Sequence, residues 1–304
     1  INSLLVKKAL EGKNVVRLKG GDSYLFGRGG EEAEALYKNG IDFEVIPGIS
    51  SAIAAPAFAG IPVTHRACAS SVHIFTGHGK NDEELNINYK ACAEIGGTLV
   101  FLMGVKNLTA IIKGLVENGM SVITPCAVVE RGAEPHQKKV IGTLDSITTL
   151  AADMKSPSVI VVGEVCDYAK RLDWFSKLPL INKNIVITRP AEIASELAAK
   201  LRDMGASVKA APSIKTEPLI NDIDELKEPI KNSMYLVFTS AFGVNVIFEL
   251  IKKSSIDVRV LCGKKIAAVG KRTADELLKY GIKADIVPEV HNGLCLAENL
   301  IQDK

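Results

Sequence analysis

The residues best placed to do chemistry lie in the stretch Val15-Val16-Arg17-Leu18-Lys19-Gly20-Gly21-Asp22-Ser23-Tyr24-Leu25-Phe26-Gly27-Arg28-Gly29-Gly30-Glu31-Glu32. It reads as a short buried strand, a glycine-rich loop carrying one carboxylate, and the acidic first turn of a helix beginning near Gly30. Glycines in such a loop let the backbone approach a ligand closely, because no Cβ intervenes and positive φ costs little. A tight turn without a ligand explains the loop equally well. Three chemistries compete for it. A nicotinamide dinucleotide site requires G-x-G-x-x-G after the strand, and that spacing is absent. A nucleophile elbow is nearly matched by Gly48-Ile49-Ser50-Ser51-Ala52, but Ala52 replaces the final glycine, and His65, His73 and His78 fit no triad pattern. Group transfer from a bound small donor remains, and it asks for little side-chain chemistry.

The elements that must position these residues follow from periodicity and breakers. A helix over Ser3 to Leu10 closes at Gly12, a second runs from Glu31 to Asn39 before Gly40, and a strand is predicted over Asp42 to Ile46. Strand, helix and strand in that order suggest a parallel βαβ unit. Ser50 offers an N-cap to a helix of small residues, Ser51 to Ala59, whose slim face suits close packing on a sheet or a bulky ligand. Ile61 to Arg66 is irregular, and its basic pair His65-Arg66 suits an exposed loop or an anion. A second α/β lobe starts near Ala69. Its strands are Val72 to Thr76, ending at Gly77-His78-Gly79, then Thr98 to Met103, Ala127 to Glu130, Lys138 to Gly142 and Ser158 to Val162, the last ones partly antiparallel. Its helices reach Ile95 after the polar stretch Lys80 to Asn88, and cover Lys106 to Asn118 and Glu164 to Lys170, with Trp174 closing the lobe.

Ser176 to Asn184 reads as a linker, after which strand and helix alternate again. The strands are Ile185 to Thr188, Ser207 to Ala211, Tyr235 to Thr239, Lys265 to Val269 and Ala284 to Val287. The helices are Ala191 to Met204, Gly243 to Lys252, Arg272 to Tyr280 and Gly293 to Ile301. In open α/β sheets ligands sit at the carboxyl ends of strands, which singles out Thr188-Arg189-Pro190, Thr239-Ser240 and Gly270. Caps and turns account for any one of them equally well.

Composition narrows the partners. The 304 residues suffice for two or more domains, and 47% hydrophobic with 24% charged residues is ordinary for a globular protein. A formal net charge of +2 gives no global field toward nucleic acid or membrane, so an acidic ligand needs local basic groups. The six cysteines are scattered without a C-x-x-C pair, which argues against a disulfide framework or zinc site and for reduced thiols in the cytoplasm. Apolar runs such as Leu99 to Val105 are too short to span a bilayer, and no signal peptide is evident. The chain opens at Ile1 in what reads as the end of a helix, as expected for a piece of a longer protein.

Residues 1 to about 175 resemble the uroporphyrinogen-III C-methyltransferases of the tetrapyrrole methylase family. The matching strings are Val15 to Asp22, Phe26-Gly27-Arg28-Gly29-Gly30-Glu31-Glu32, Pro47-Gly48-Ile49-Ser50-Ser51-Ala52, Gly60-Ile61-Pro62-Val63-Thr64-His65-Arg66, Thr76-Gly77-His78, Leu102-Met103-Gly104, Ser156-Pro157 and Val162-Gly163-Glu164-Val165. Residues from about Asn184 resemble the first part of uroporphyrinogen-III synthases through Val186-Ile187-Thr188-Arg189-Pro190, Val237-Phe238-Thr239-Ser240-Ala241 and Ala267-Ala268-Val269-Gly270. The resemblance implies an α/β, two-lobed tetrapyrrole methylase fold lacking its N-terminal part, followed by a partial flavodoxin-like α/β synthase region. The implied divisions are 1–175 (lobes 1–68 and 69–175), a linker over 176–184, and 185–304.

It further implies S-adenosylmethionine as methyl donor and uroporphyrinogen III as acceptor, methylated at two ring carbons to precorrin-2 for sirohaem and cobalamin synthesis, with no metal. Gly20, Gly21, Asp22, Leu25, Ser50, Ser51, Met103, Gly132, Pro157 and Ser158 would line the donor cleft. Arg28, His65, Arg66, Lys106 and Arg131 would bind the acceptor's carboxylates. In the synthase region, Thr188, Arg189, Thr239, Ser240, Gly270 and Thr273 would bind hydroxymethylbilane for closure and inversion of its last pyrrole. A homodimer through the methyltransferase half is expected. The methylase family carries a further strand and a Gly-Pro-Gly-Asp loop before the point matching Ile1, and synthases a second half beyond Lys304, so this piece alone is expected to retain little of either activity. The other readings are methylation of a different corrin precursor and a non-catalytic tetrapyrrole-binding module.

Overall fold

The computed structural model describes residues 1–77, 87–189 and 191–303, and the side chains of 191–194 are not among what it describes. His78, Gly79, the polar stretch 80–86, Pro190 and Lys304, on which some sequence expectations fall, lie outside the described residues. The chain forms two units, Ile1–Ile214 and Lys215–Lys304.

In the first unit, α1 (Asn2–Leu10), α2 (Gly29–Lys38) and α3 (Ser51–Phe58) precede β1 (Val72–Thr76). Then come α4 (Tyr89–Ile95), β2 (Thr98–Leu102), α5 (Leu108–Glu117), β3 (Pro125–Glu130), β4 (Lys138–Thr143), α6 (Ile147–Leu150), β5 (Ser158–Val162) and α7 (Ala169–Leu172). The five strands form one sheet in the order β1-β2-β5-β3-β4, parallel between β1 and β2 and antiparallel elsewhere. Both faces are covered, which is why β2 and β5 are unbroken apolar runs rather than alternating ones. On one face Ala52, Ala55 and Ala59 of the α3 segment pack on Val100, Val129, Val159 and Val161. The small residues of α3 thus serve close helix-to-sheet packing. On the other face Ile111 and Leu115 of α5 and Ile147 of α6 pack on Leu99, Phe101, Val128 and Ile160.

The βαβ unit expected from Val15 to Ile46 is not formed. Val15–Leu18 and Asp42–Ile46 are irregular, with no ladder of backbone hydrogen bonds, and Val16, Leu18 and Ile46 are 88%, 83% and 71% exposed. An apolar stretch becomes a strand only when a neighbour takes up its backbone groups. Here side chains hold the first stretch: Glu32 of α2 accepts hydrogen bonds from Lys19 Nζ at 2.9 Å and Arg17 Nε at 3.2 Å.

Beyond β5, the stretch read as a linker is bonded on both sides. Leu180 N donates to Met204 O at 2.9 Å, Asn182 N to Pro135 O at 3.1 Å and Ser207 N to Lys183 O at 2.9 Å. It leads into β6 (Asn184–Ile187), α8 (Ala191–Asp203) and β7 (Ser207–Ala210), with β6 and β7 a parallel pair.

The second unit contains α9 (Lys227–Asn232), β8 (Tyr235–Phe238), α10 (Ala241–Lys253), β9 (Lys265–Ala268), α11 (Lys271–Lys279) and α12 (Gly293–Gln302). Phe238, Val244, Phe248, Ile266 and Leu277 form its core under the parallel β8–β9 pair. The strand expected over Ala284 to Val287 is reduced to a single bridge, Ala267 to Ile286. The Asp285 carboxylate takes the Ile266 N–H at 2.7 Å, a donor that a longer ladder would need.

Candidate functional site

The register of the five-stranded sheet gathers three of the expected donor residues, Met103, Pro157 and Ser158, on one edge. Thr76 pairs with Leu102, Leu102 with Val159, and Glu130 with both Ser158 and Lys138. The edge therefore carries the ends of β1, β2 and β3 and the starts of β4 and β5. Met103 falls one step beyond Leu102, opposite Ser158. Met103 and Arg131, which leave β2 and β3 there, both adopt left-handed backbone, with φ of 59° and 51°. That conformation is costly for a side chain larger than glycine and concentrates at ligand sites. Arg131 N donates to Pro157 O at 2.9 Å, and Ser158, 8% exposed, donates its hydroxyl to Lys155 O. Lys106 is exposed in the turn Val105–Asn107 that follows Met103. Gly132 packs so tightly on α3 that a Cβ there would lie 2.3 Å from the Ala55 Cβ.

Opposite this edge stands the glycine-rich loop, and Asp22 is its fastening. One Asp22 carboxylate oxygen accepts from the backbone N–H of Tyr24 at 2.8 Å and Leu25 at 3.2 Å, and the other from Gly48 N–H at 3.0 Å. The N–H groups of Gly48 and then Tyr24 hold its carboxyl below the usual carboxylate range, against the opposing effect of partial burial. Gly21 needs glycine for its φ of +80°, and a Cβ on Gly48 would come within 2.5 Å of Gly21 O, so the two turns touch only because residue 48 has no side chain. Ser50 accepts from Ala52 N–H as the N-cap of α3, Ser51 is exposed on its first turn, and Leu25 packs on the sheet core.

A cleft of about 460 Å³ lies between loop and edge, lined by Tyr24, Phe26, Arg28, Gly29, Gly30, Glu31, Thr76 and Met103. Arg28, with φ 59°, caps the start of α2 and pairs with Glu31 at 2.6 Å; that bond raises the guanidinium's affinity for its proton and lowers the Glu31 carboxyl. Arg131 pairs likewise with Glu134 at 2.6 Å. Tyr24, Phe26 and Thr76 were not singled out by sequence reasoning, although two aromatics inside a glycine-rich loop were a usable signal.

His65 and Arg66 join this group through no hydrogen bond or ion pair among the described residues. His65 Nδ1 accepts from Ala67 N–H at 3.1 Å and faces Tyr168 OH at 3.0 Å, an arrangement that places the ring proton on Nε2. Its ring centroid is 4.2 Å from that of Tyr168. Arg66 is exposed.

In the synthase-like region, Thr188 O accepts from Ser213 N–H and its hydroxyl at 3.0 and 3.1 Å, and Arg189 is exposed. In the second unit, Thr239, Ser240 and Gly270 stand at the carboxyl ends of β8 and β9. The Ser240 hydroxyl caps α10 by accepting from Gly243 N–H at 3.0 Å, while Thr273 is 4% exposed on α11. His291 backs the Gly270 turn, where a Cβ would lie 2.8 Å from its own Cβ.

Comparison with known proteins agrees with these two regions. Residues 1–148 match the family model of tetrapyrrole (corrin/porphyrin) methylases, and residues 195–304 that of uroporphyrinogen-III synthase HemD. The porphyrin biosynthesis protein HemD of Ruminiclostridium josui is 42% identical over 301 residues, 98% of this chain and 60% of that protein. The chain thus spans well under two thirds of that relative. A uroporphyrinogen-III C-methyltransferase of Bacillus subtilis (strain 168) is 51% identical over 177 residues, 58% of this chain and 69% of that one. An S-adenosyl-L-methionine-dependent uroporphyrinogen III methyltransferase of Methanosarcina barkeri (strain Fusaro / DSM 804) is 53% identical over 168 residues, 54% of this chain and 66% of that protein. No helix among the described residues is long and apolar enough to cross a membrane. The covered two-faced sheet, its edge of strained loops and this degree of identity lead to one assignment: the chain belongs to the tetrapyrrole methylase family, with a uroporphyrinogen-III synthase segment behind the methylase.

Proposed function

We propose that the protein containing this chain transfers methyl groups from S-adenosylmethionine to two ring carbons of uroporphyrinogen III, giving precorrin-2 for sirohaem and cobalamin synthesis. The observation that carries this reading is the cleft itself, about 460 Å³ between the Asp22-fastened loop and a sheet edge with two left-handed residues. Its volume suits a nucleoside-sized ligand, and Tyr24, Phe26 and Met103 give it apolar walls with Thr76 and Arg28 as polar groups. Gly20, Gly21, Asp22, Leu25, Ser50, Ser51, Met103, Gly132, Pro157 and Ser158 are the donor-side residues in this reading; of these Met103 lines the cleft, and the others stand in the loop, on α3 and along the sheet edge around it. The bound donor supplies a methyl group already activated on a sulfonium, so the chain's tasks are to align it and to exclude water. Arg28, Arg66, Lys106 and Arg131 are the groups for the acceptor's carboxylates, with His65 donating through Nε2. Glu31 and Glu134 hold two of those arginines in the meantime.

The region 185–304 is read as part of a synthase that closes hydroxymethylbilane, a reaction whose product is the acceptor of the first. Thr188 and Arg189 in one unit, and Thr239, Ser240, Gly270 and Thr273 in the other, are its candidate residues. A cytoplasmic homodimer formed through residues 1–175 completes the proposal. The test is mass spectrometry of uroporphyrinogen III incubated with S-adenosylmethionine and the protein. The expected products carry one and then two added methyl groups. Binding of uroporphyrinogen III with no gain in mass would favour a tetrapyrrole-binding module, and methylation only of a different corrin precursor would reassign the acceptor.

A further inference from the structure

We infer that Glu130 is a positioning residue for the sheet edge assigned to the donor: its buried side chain holds the backbone at Lys155 and so fixes the turn that presents Pro157 and Ser158. This rests on the donor reading above. Glu130 ends β3 after the apolar run Ala127 to Val129 and is 7% exposed. Its Oε2 accepts from Lys155 N–H at 2.7 Å, and no cation among the described residues pairs with it. Burying a polar side chain costs free energy unless a hydrogen bond satisfies it. The Glu130 oxygen instead reaches a backbone N–H 25 residues further on, ahead of β5, so the acceptor serves the geometry of that turn.

That geometry is a closed set of bonds around one turn. Glu130 holds Lys155 N–H, Lys155 O accepts the Ser158 hydroxyl, and Arg131 N–H holds Pro157 O at 2.9 Å. Glu130, the last residue of β3, and Arg131 after it thus hold Lys155 and Pro157 on the approach to β5. Loss of the carboxylate would leave Lys155 N–H without its partner and free the turn, while the rest of β5 stays in its ladder.

Two measurements on the same variants of the protein that contains this chain test this. Amide hydrogen exchange reads the turn directly: Glu130→Ala should speed exchange at Lys155 about tenfold or more, with Val159 to Val161 still protected. Calorimetry with S-adenosylhomocysteine reads the consequence: Glu130→Ala should bind it about tenfold more weakly, and Glu130→Gln, which keeps an oxygen acceptor, should stay within about threefold of the parent chain. Unchanged exchange at Lys155 in Glu130→Ala would overturn the positioning role. Faster exchange there with unchanged binding would confine Glu130 to structure and overturn its link to the donor. If the unsubstituted protein that contains this chain fails to bind S-adenosylhomocysteine, the donor reading falls and the inference about the donor with it. Equal loss of binding and of protection across all of β5 in both variants would show general destabilisation instead of positioning.

Discussion

The two walls of the cleft are held by opposite means. The wall at the sheet edge inherits its position from five strands with both faces buried, where β2 and β5 expose almost nothing. The loop wall, Tyr24 to Glu31, rests on irregular chain whose apolar side chains face solvent, and it is fastened by two carboxylates, Asp22 and Glu32. A wall built on packing loses its place only when the core gives way. A wall built on a few hydrogen bonds can be released while the rest of the molecule stays folded, and it is sensitive to acid.

The largest effect should come from the packed wall. Phe101 is fully buried and stacks on Phe75 at 5.2 Å between ring centroids. Phe101→Ala should lower stability by about 3–5 kcal/mol, read by urea unfolding, and weaken ligand binding only as the fold is lost. The fastened wall should behave in reverse. Asp22→Ala should move the urea midpoint little and weaken S-adenosylhomocysteine about tenfold, because three backbone N–H groups lose their acceptor. Equal stability losses in the two variants would erase the contrast.

The smallest effect is a pH dependence. Backbone N–H groups of Gly48 and Tyr24 lower the Asp22 carboxyl in the folded chain, so its folded pKa lies below its unfolded one. Its contribution is therefore complete above pH about 4 and fades as the pH falls through the folded value. Calorimetry on descending pH should show donor affinity declining in that acid range, with a flatter profile for Asp22→Asn. A profile unaltered by the substitution would remove Asp22 from the account.

The same contrast explains how much of the molecule could be read from the chain alone. Thr98 to Leu102 and Ser158 to Val162 announce buried strands because their apolar residues run unbroken, and Ser50 announces its helix by its place before it. Val15 to Leu18 carries the same composition and is no strand, since a strand is a relation with a neighbour that one segment cannot encode. Asp22 stood out as a site residue, but its tie to Gly48, 26 residues away, follows only from how the two turns meet. The left-handed conformations of Met103 and Arg131 leave no mark in sequence, because neither is glycine. Glu130 passed as the polar end of a strand, and its burial is a property of the sheet edge around it.

The stretch from Leu178 to Lys183 behaves as a splint more than as a tether. With its backbone bonded to Met204 and Ser207 on one side and Pro135 on the other, β6 and β7 should tumble with the methylase sheet as one particle. The chain joining two chemistries then passes on direction as well as distance, and lengthening it with flexible residues would change where the next strand points before it changed how far it could reach.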